Sequence, residues 1–543
     1  MNRLFLLGVL VVFLLSCQQK EPCDQIFYNA KIYTLDKDSL IADAMAVLNG
    51  RIVAVGKKDD LFKKYQAKER TDLNGNTVYP GFIDAHCHFY GYGINLSEAD
   101  LSGTDSWQAV LDTIINFAIK NPEGWLVGRG WDQNDWADKS FPSKKQLDSL
   151  FPGRPVFLQR VDGHACIVNQ KALDQANINA STKIIGGEIV LIDGSPSGLL
   201  LDNAMDALQR SMPVPSDAVI KVALLKAQSN CLAVGLTTVS DAGLLKNVVT
   251  IIDSLHRNTL LKIRVYAMLA DNDENKNFFF STGPYKTDRL TVRAIKYYAD
   301  GALGSRGALL LKPYSDAPAT RGLQLNSRSY FEEQAMLCNK HGFQMCTHAI
   351  GDSANRMILQ VYGKILGGIN DKRWRIEHSQ VIAPDDFELF HRYSIIPSVQ
   401  PTHATSDMYW AMDRLGVFRI RGAYAYRDLL SQNGWLANGS DFPVESINPL
   451  FGFYAAVARK DQNNFPEGGF EMKNALTRME ALKAMTIWAA AANFEDEVKG
   501  SIEIGKVADF VVLDRDIMTV AEEDLFKATV EATYINGEKV FDR

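Results

Sequence analysis

Four apolar runs, scattered between residues 81 and 441, end in side chains that bind metals. The first, Gly81-Phe82-Ile83-Asp84-Ala85, closes on His86-Cys87-His88. The others are Met345-Cys346-Thr347-His348, Arg375-Ile376-Glu377-His378 and Trp435-Leu436-Ala437-Asn438-Gly439-Ser440-Asp441. His86 and His88 stand two apart, so on a strand both project to one face and can hold one cation. A lone His-x-His is weak evidence, but four of only nine histidines closing strand-like runs is not a chance pattern. Imidazole and carboxylate donors around a divalent cation generate a reactive water, so the chemistry indicated is metal-assisted hydrolysis. Lys296 is a further candidate. Strand alternation in Leu290 to Gly301 puts Val292, Ala294 and Lys296 on one face, read here as inward. An ammonium there is costly. A neutral amine can instead take up carbon dioxide and become a carbamate able to bridge two cations; the residues alone leave that choice open.

Ligands at the ends of separate strands need a parallel barrel to gather them at one mouth. Eight strand-like runs supply it: 81–86, 236–240, 262–269, 291–297, 343–347, 374–377, 395–399 and 434–437. Helical stretches such as Tyr330 to His341 and Ala354 to Leu366 separate most of them, which argues for an α/β fold, a (β/α)8 TIM barrel over 81–495. About 140 residues lie between the first two strands, too many for a bare loop. Residues 89–230 are therefore expected to be an inserted α+β lid over the mouth. Both ends read as short strands with Asn49-Gly50 and Asn536-Gly537 hairpin turns, so 24–80 and 496–543 are expected to build one small β-sandwich domain.

Hydrophobic residues make up 46% and charged residues 22% of 543, an ordinary globular mixture. The formal charge of −6 and the lack of a long basic run exclude nucleic acid as a partner. At the N-terminus Arg3 precedes the apolar stretch Leu4 to Leu15, shorter than the roughly 20 residues of a membrane span. Residues 1–16 therefore read as an export signal peptide. Leu14-Leu15-Ser16-Cys17 resembles a bacterial lipobox, with Cys17 as the lipidated residue, 17–23 as tether and the body anchored at the bacterial envelope, periplasmic or surface-exposed. Of the seven cysteines, the remaining six show no close pairing or zinc-ribbon spacing and read as buried small hydrophobes.

The chain resembles the amidohydrolase superfamily, and within it the amidohydrolase-3 (YtcJ-like) metal-dependent hydrolases, over nearly everything after the signal. The resemblance rests on Pro80 to His88, Lys296 before Ala299 to Arg306, and Thr347 to Asp352. Ile376 to Gln380, Gly439 to Pro443, and Gly500 to Glu503 through Ala508-Asp509 complete it. It implies two divalent cations, for which zinc suits the donors. His86, His88 and Asp441 would hold one and His348 and His378 the other, with carboxylated Lys296 and a hydroxide between them. Asp441 is expected to act as general base, returning a proton to the leaving nitrogen. His164, in the Arg160 to Asn169 segment, is expected to touch substrate from the lid, and Arg306 and His403 to line the pocket. Trp131, Asp132 and Trp136 could join them or belong to the insert's core. The expected activity is hydrolysis of a non-peptide amide, such as an N-acyl or N-formyl bond, of a small molecule. Cyclic-amide opening, deamination and ligand binding without catalysis are the competing readings.

Overall fold

The structure, a computed structural model, describes residues 20–543, so Cys17 and the expected signal peptide lie outside it. Eight strands form a parallel barrel in chain order: β1 (Phe82–Cys87), β2 (Leu236–Leu244), β3 (Arg264–Ala270), β4 (Leu290–Tyr298), β5 (Gln344–Ala349), β6 (Arg375–His378), β7 (Ile396–Val399) and β8 (Ala437–Asn438). The two ends meet at the mouth. Asp441 N–H donates to the His86 carbonyl at 2.8 Å, and His88 N–H donates to the Phe442 carbonyl at 2.8 Å. All eight runs are strands, although β8 starts three residues later than the expected 434–437. Gly434, left-handed at φ +76°, still caps the preceding helix Tyr426–Asn433, and the chain needs Trp435 and Leu436 to turn into the sheet.

The strands are apolar on both faces because both are covered. On one face of β2–β5, Ala242, Tyr266, Met268, Ala294 and Cys346 form a cluster of their own, with Tyr266 donating to Gln344 at 2.9 Å. Lys296 and His348 continue this face by strand alternation. The opposite face packs on helices whose ends the sequence specifies. Ser216 and Ser327 accept from Val219 and Tyr330 N–H at the starts of Asp217–Ala233 and Arg328–His341. Gly342 and Gly367, both left-handed, terminate Arg328–His341 and Asp352–Leu366.

Between β1 and β2 a separate six-stranded sheet runs from Ala99–Asp100 to Ser195–Asp202. The helix Asp217–Ala233 begins inside the expected insert of 89–230 and runs three residues past it, and its Ile220, Leu224, Ala227 and Cys231 belong to the barrel's core. It is a barrel helix, buried along Ile220, Ala223, Leu224, Ala227 and Cys231. The termini form one continuous hydrogen-bonded sheet of eight strands, five from Glu21–Pro80 and three from Phe510–Asp542. Its first strand, Glu21–Tyr33, takes in the last residues of the expected 17–23 tether through parallel pairing with Tyr65–Asp72. Both Asn-Gly turns are present with positive φ at each residue. The six described cysteines are buried and free. No helix among the described residues is long and apolar enough to cross a membrane.

A buried ion pair joins this sheet to the foot of the barrel. Arg264, at the start of β3, donates to both Asp509 oxygens at 2.6 and 2.9 Å and to Asn536 Oδ1 at 2.6 Å. Both charged side chains are only 3% exposed. Burial alone would raise the Asp509 carboxyl, but Arg264 holds it below the usual carboxylate range. Asp509→Ala should strand the guanidinium and cost about 3–5 kcal/mol, whereas Arg264→Met with Asp509→Leu should recover most of that. Urea unfolding of the three proteins checks this; a single variant as stable as wild type contradicts it.

Candidate metal centre

The mouth of the barrel gathers the candidate ligands through three local devices. His86 and His88 face inward together because they are two apart on and just after β1. Glu377 and His378 are neighbours and would point oppositely on a regular strand. His378 instead turns left-handed at φ +73°, which lets both reach the site. Asp441 is also left-handed, at φ +62°. Such non-glycine conformations cost about 1–3 kcal/mol each and persist where surrounding structure enforces them.

Below the ligands, Asp84 accepts from His86 N–H at 3.1 Å and from the Ser440 hydroxyl at 2.6 Å, tying β1 to the Asp441 loop. Burial pushes this carboxyl up to about 6 against those bonds. Gly439 packs so tightly that a Cβ would stand 2.4 Å from His86 N. Only glycine fits there.

Each imidazole has one nitrogen engaged by a partner that orients the ring. His86 Nδ1 lies 2.6 Å from Glu377 Oε2, His88 Nδ1 3.0 Å from the Ala242 carbonyl, and His378 Nδ1 2.8 Å from Gln400 Oε1. His348 is oriented through Nε2, 3.4 Å from the Gly301 carbonyl. Such outer partners fix ring tautomers for metal binding. His86 Nε2, His88 Nε2 and Asp441 form one group of potential ligand atoms within 4.8 Å of one another; His378, His403 and the same Asp441 form another. Asp441 Oδ1 is 3.1 Å from His88 Nε2 and 3.4 Å from His86 Nε2, yet it is buried with no properly directed hydrogen bond. Lone pairs converging in this way fit a divalent cation.

At His348 and His378 the electrostatics point the same way. Burial, then the neighbouring His378, His164 and Lys296, keeps His348 well below the ordinary imidazole range. Burial does the same for His378, so both rings are neutral, as ligands must be. Burial would raise Asp441, but His86 and His88 hold it well below the carboxylate range. Burial would likewise raise Glu377, which His86 and Arg375 bring down to about 2. Lys296 is buried, with Nζ 3.2 Å from His86 Nε2 and 4.7 Å from the centre of the Tyr298 ring. Among the described residues no carboxylate lies within ion-pair distance of it.

The remaining expected residues are distributed around this centre. His164, from the insert, has its ring centre 4.9 Å from that of His348, tilted by 44°, and its Nδ1 is 2.7 Å from Asp202 Oδ1. His403 sits in the first turn of the helix Pro401–Asp407, with its ring 5.9 Å from His378 and its Nε2 buried and unpartnered. Arg306 pairs with Asp316 at 2.8 Å beside a pocket of about 340 Å³ that Asn134, Trp410 and Arg414 also line. Trp131 and Trp136 are buried in the insert's own core, and Asp132 pairs with Arg160. Glu377, Gln400 and Asp202 were not assigned roles from sequence. Glu377 alone left a signal, an acid two residues from Arg375 on one short strand and next to a candidate ligand.

A closed parallel barrel with imidazole and carboxylate donors at its C-terminal mouth defines a metal-dependent hydrolase. The chain belongs to the Amidohydrolase family, whose pattern matches residues 69–541, and it is a hydrolase acting on carbon–nitrogen bonds other than peptide bonds. It is 31% identical to YtcJ of Bacillus subtilis over 539 residues, 95% of this chain and 99% of that one. It is 28% identical to the N-substituted formamide deformylase of Arthrobacter pascens over 550 residues, 96% of this chain and 98% of the other. A metal-dependent hydrolase from Pyrococcus horikoshii superposes with a TM-score of 0.75 at 26% identity, covering 92% of this chain and 99% of that one.

Proposed function

We propose that this protein hydrolyses an exocyclic amide of a small molecule, an N-acyl or N-formyl compound, at a two-cation centre. The observation that carries the reading is Lys296: a buried amine beside His86 with no acidic partner among the described residues. An unpaired ammonium at that depth is unfavourable, whereas a carbamate on the same nitrogen supplies the anionic bridge the centre otherwise lacks. His86, His88 and Asp441 would hold one cation and His348 and His378 the other, with zinc matching the donors. When bound, the cations supply an acidified water and polarise the scissile carbonyl. Asp441, kept ionised by its histidine neighbours, takes the proton of the attacking water and delivers it to the departing nitrogen. His164, fixed by Asp202, stands over His348 where a substrate must enter, and His403 and Arg306 border the approach. The likeness to a formamide deformylase favours acyclic amides over deamination or ring opening.

A second assignment of the ligands has its own support. The orphaned Nε2 of His403 stands 3.8 Å from Asp441 Oδ2, so the second cation could lie between His378, His403 and Asp441. Metal content after His348→Ala and His403→Ala separates the two, since only the true ligand's loss should remove an equivalent. Cys17 is proposed to carry the lipid that anchors the body to a bacterial envelope. Palmitate labelling that disappears in Cys17→Ala supports this; unlabelled wild type overturns it.

The central test uses Asp441→Asn. Turnover of N-formyl and N-acyl amines should fall about 10²–10⁴-fold, while elemental analysis shows most of the metal retained. Full activity in this variant, or a metal-free wild type, contradicts the proposal.

A further inference from the structure

Arg459 carries a charge that the described residues leave almost unanswered. It follows the helix Pro449–Ala458 and is 0% exposed. Its Nε donates to the Phe470 carbonyl at 2.9 Å, but Nη1 and Nη2 are both buried without an acceptor. No carboxylate stands within ion-pair distance of it among the described residues. Other buried arginines are provided for. Arg160 pairs with Asp132 and Asp162, Arg264 with Asp509 and Arg414 with Asp316. Arg375 is fully buried and also has no paired carboxylate, yet its terminal nitrogens donate to the Ala85 and Ala492 carbonyls and to Asn493 Oδ1.

A second orphan belongs to the same place. Asn474 is 0% exposed, and its Oδ1 and Nδ2 are both buried without partners. The segment 470–476 that carries it is tied at both ends to one helical turn. Phe470 N–H donates to the Arg459 carbonyl at 2.7 Å, and Leu476 N–H donates to the Ala456 carbonyl at 2.9 Å. Three residues of helix rise only about 4.5 Å, so the segment folds back beside Arg459. Both orphans also close on the start of the helix Tyr426–Asn433. The Arg459 guanidinium lies 5.0 Å from the centre of the Tyr426 ring, and Ala475, next to Asn474, accepts from Arg427 at 2.9 Å.

Burial works against the Arg459 charge, and arginine does not give up its proton inside a protein. The rings of Tyr426 and Phe470, at 5.0 and 5.7 Å, attract the cation without neutralising it. A water molecule would satisfy the N–H groups and leave the charge unbalanced; an anion answers both. The terminal nitrogens of Arg459 and the Asn474 amide bring several N–H donors against one acceptor, Asn474 Oδ1. Such a surplus of donors suits an anion. We propose that Arg459 and Asn474 hold a small inorganic anion, of the size of chloride, within the wall of the barrel. The site stands behind the candidate metal centre. Tyr426 donates to the Gln400 carbonyl at 3.0 Å, and Gln400 Oε1 is 2.8 Å from His378 Nδ1. The anion completes the packing behind a candidate ligand and takes no part in the reaction.

Crystals of the full chain soaked in sodium bromide test this directly, because bromide replaces chloride and scatters anomalously. A bromide peak between Arg459 and Asn474 is expected; water alone at the guanidinium overturns the proposal. Thermal unfolding in sodium chloride and in sodium gluconate, at equal ionic strength, gives a second reading. The wild-type midpoint should be about 2–4 °C higher in chloride. In Asn474→Asp a carboxylate of the chain takes the anion's place. Its midpoint in gluconate should therefore rise above that of wild type, and the difference between the salts should vanish. A wild type indifferent to the salt overturns the proposal, as does an Asn474→Asp variant that keeps the full chloride shift or is less stable than wild type in gluconate. Should that variant fail to fold, the bromide map of wild type decides alone.

Discussion

The closure of the barrel between β8 and β1 is the constraint on which the rest depends. Two backbone hydrogen bonds, Asp441 N–H to His86 O and His88 N–H to Phe442 O, both 2.8 Å, are also what bring Asp441 to the two histidines. The same few residues thus complete the fold and assemble the site. Asp84 reinforces the joint from within, and Gly439 permits it by having no side chain to collide with His86. A left-handed Asp441 costs conformational energy that the closed barrel must supply. This is why the strained ligands are found at a seam held from both sides.

A second layer keeps the first in register. Glu377, Gln400, the Ala242 carbonyl and the Gly301 carbonyl each occupy one ring nitrogen of a candidate ligand. The remaining nitrogens are left facing inward. Burial then keeps His348 and His378 neutral while Asp441 and Glu377 stay charged, a division of charge suited to receiving cations. The insert adds the third layer. Its loop 161–164 brings His164 against His348.

Much of this was legible in the chain because the signals are local. Period-2 spacing identifies His86 with His88 and the inward face of β4 with Lys296, and Asn-Gly turns mark the terminal hairpins. The amidohydrolase resemblance supplies the pairing of ligands, which spacing alone leaves open. What was not legible depends on contacts distant in sequence. Glu377 meets His86 across 291 positions and Gln400 meets His378 across 22. Boundaries failed where a neighbouring element competed: Gly434 delayed β8, the barrel core claimed helix Asp217–Ala233, and strand pairing drew Glu21–Cys23 out of the expected tether.

The account turns on what Lys296 becomes in the loaded protein. Carbon-13 NMR of protein loaded with zinc in labelled bicarbonate should show one carbamate carbon per chain, absent from Lys296→Arg prepared in the same way. A fully metal-loaded wild type with no carbamate signal would contradict it.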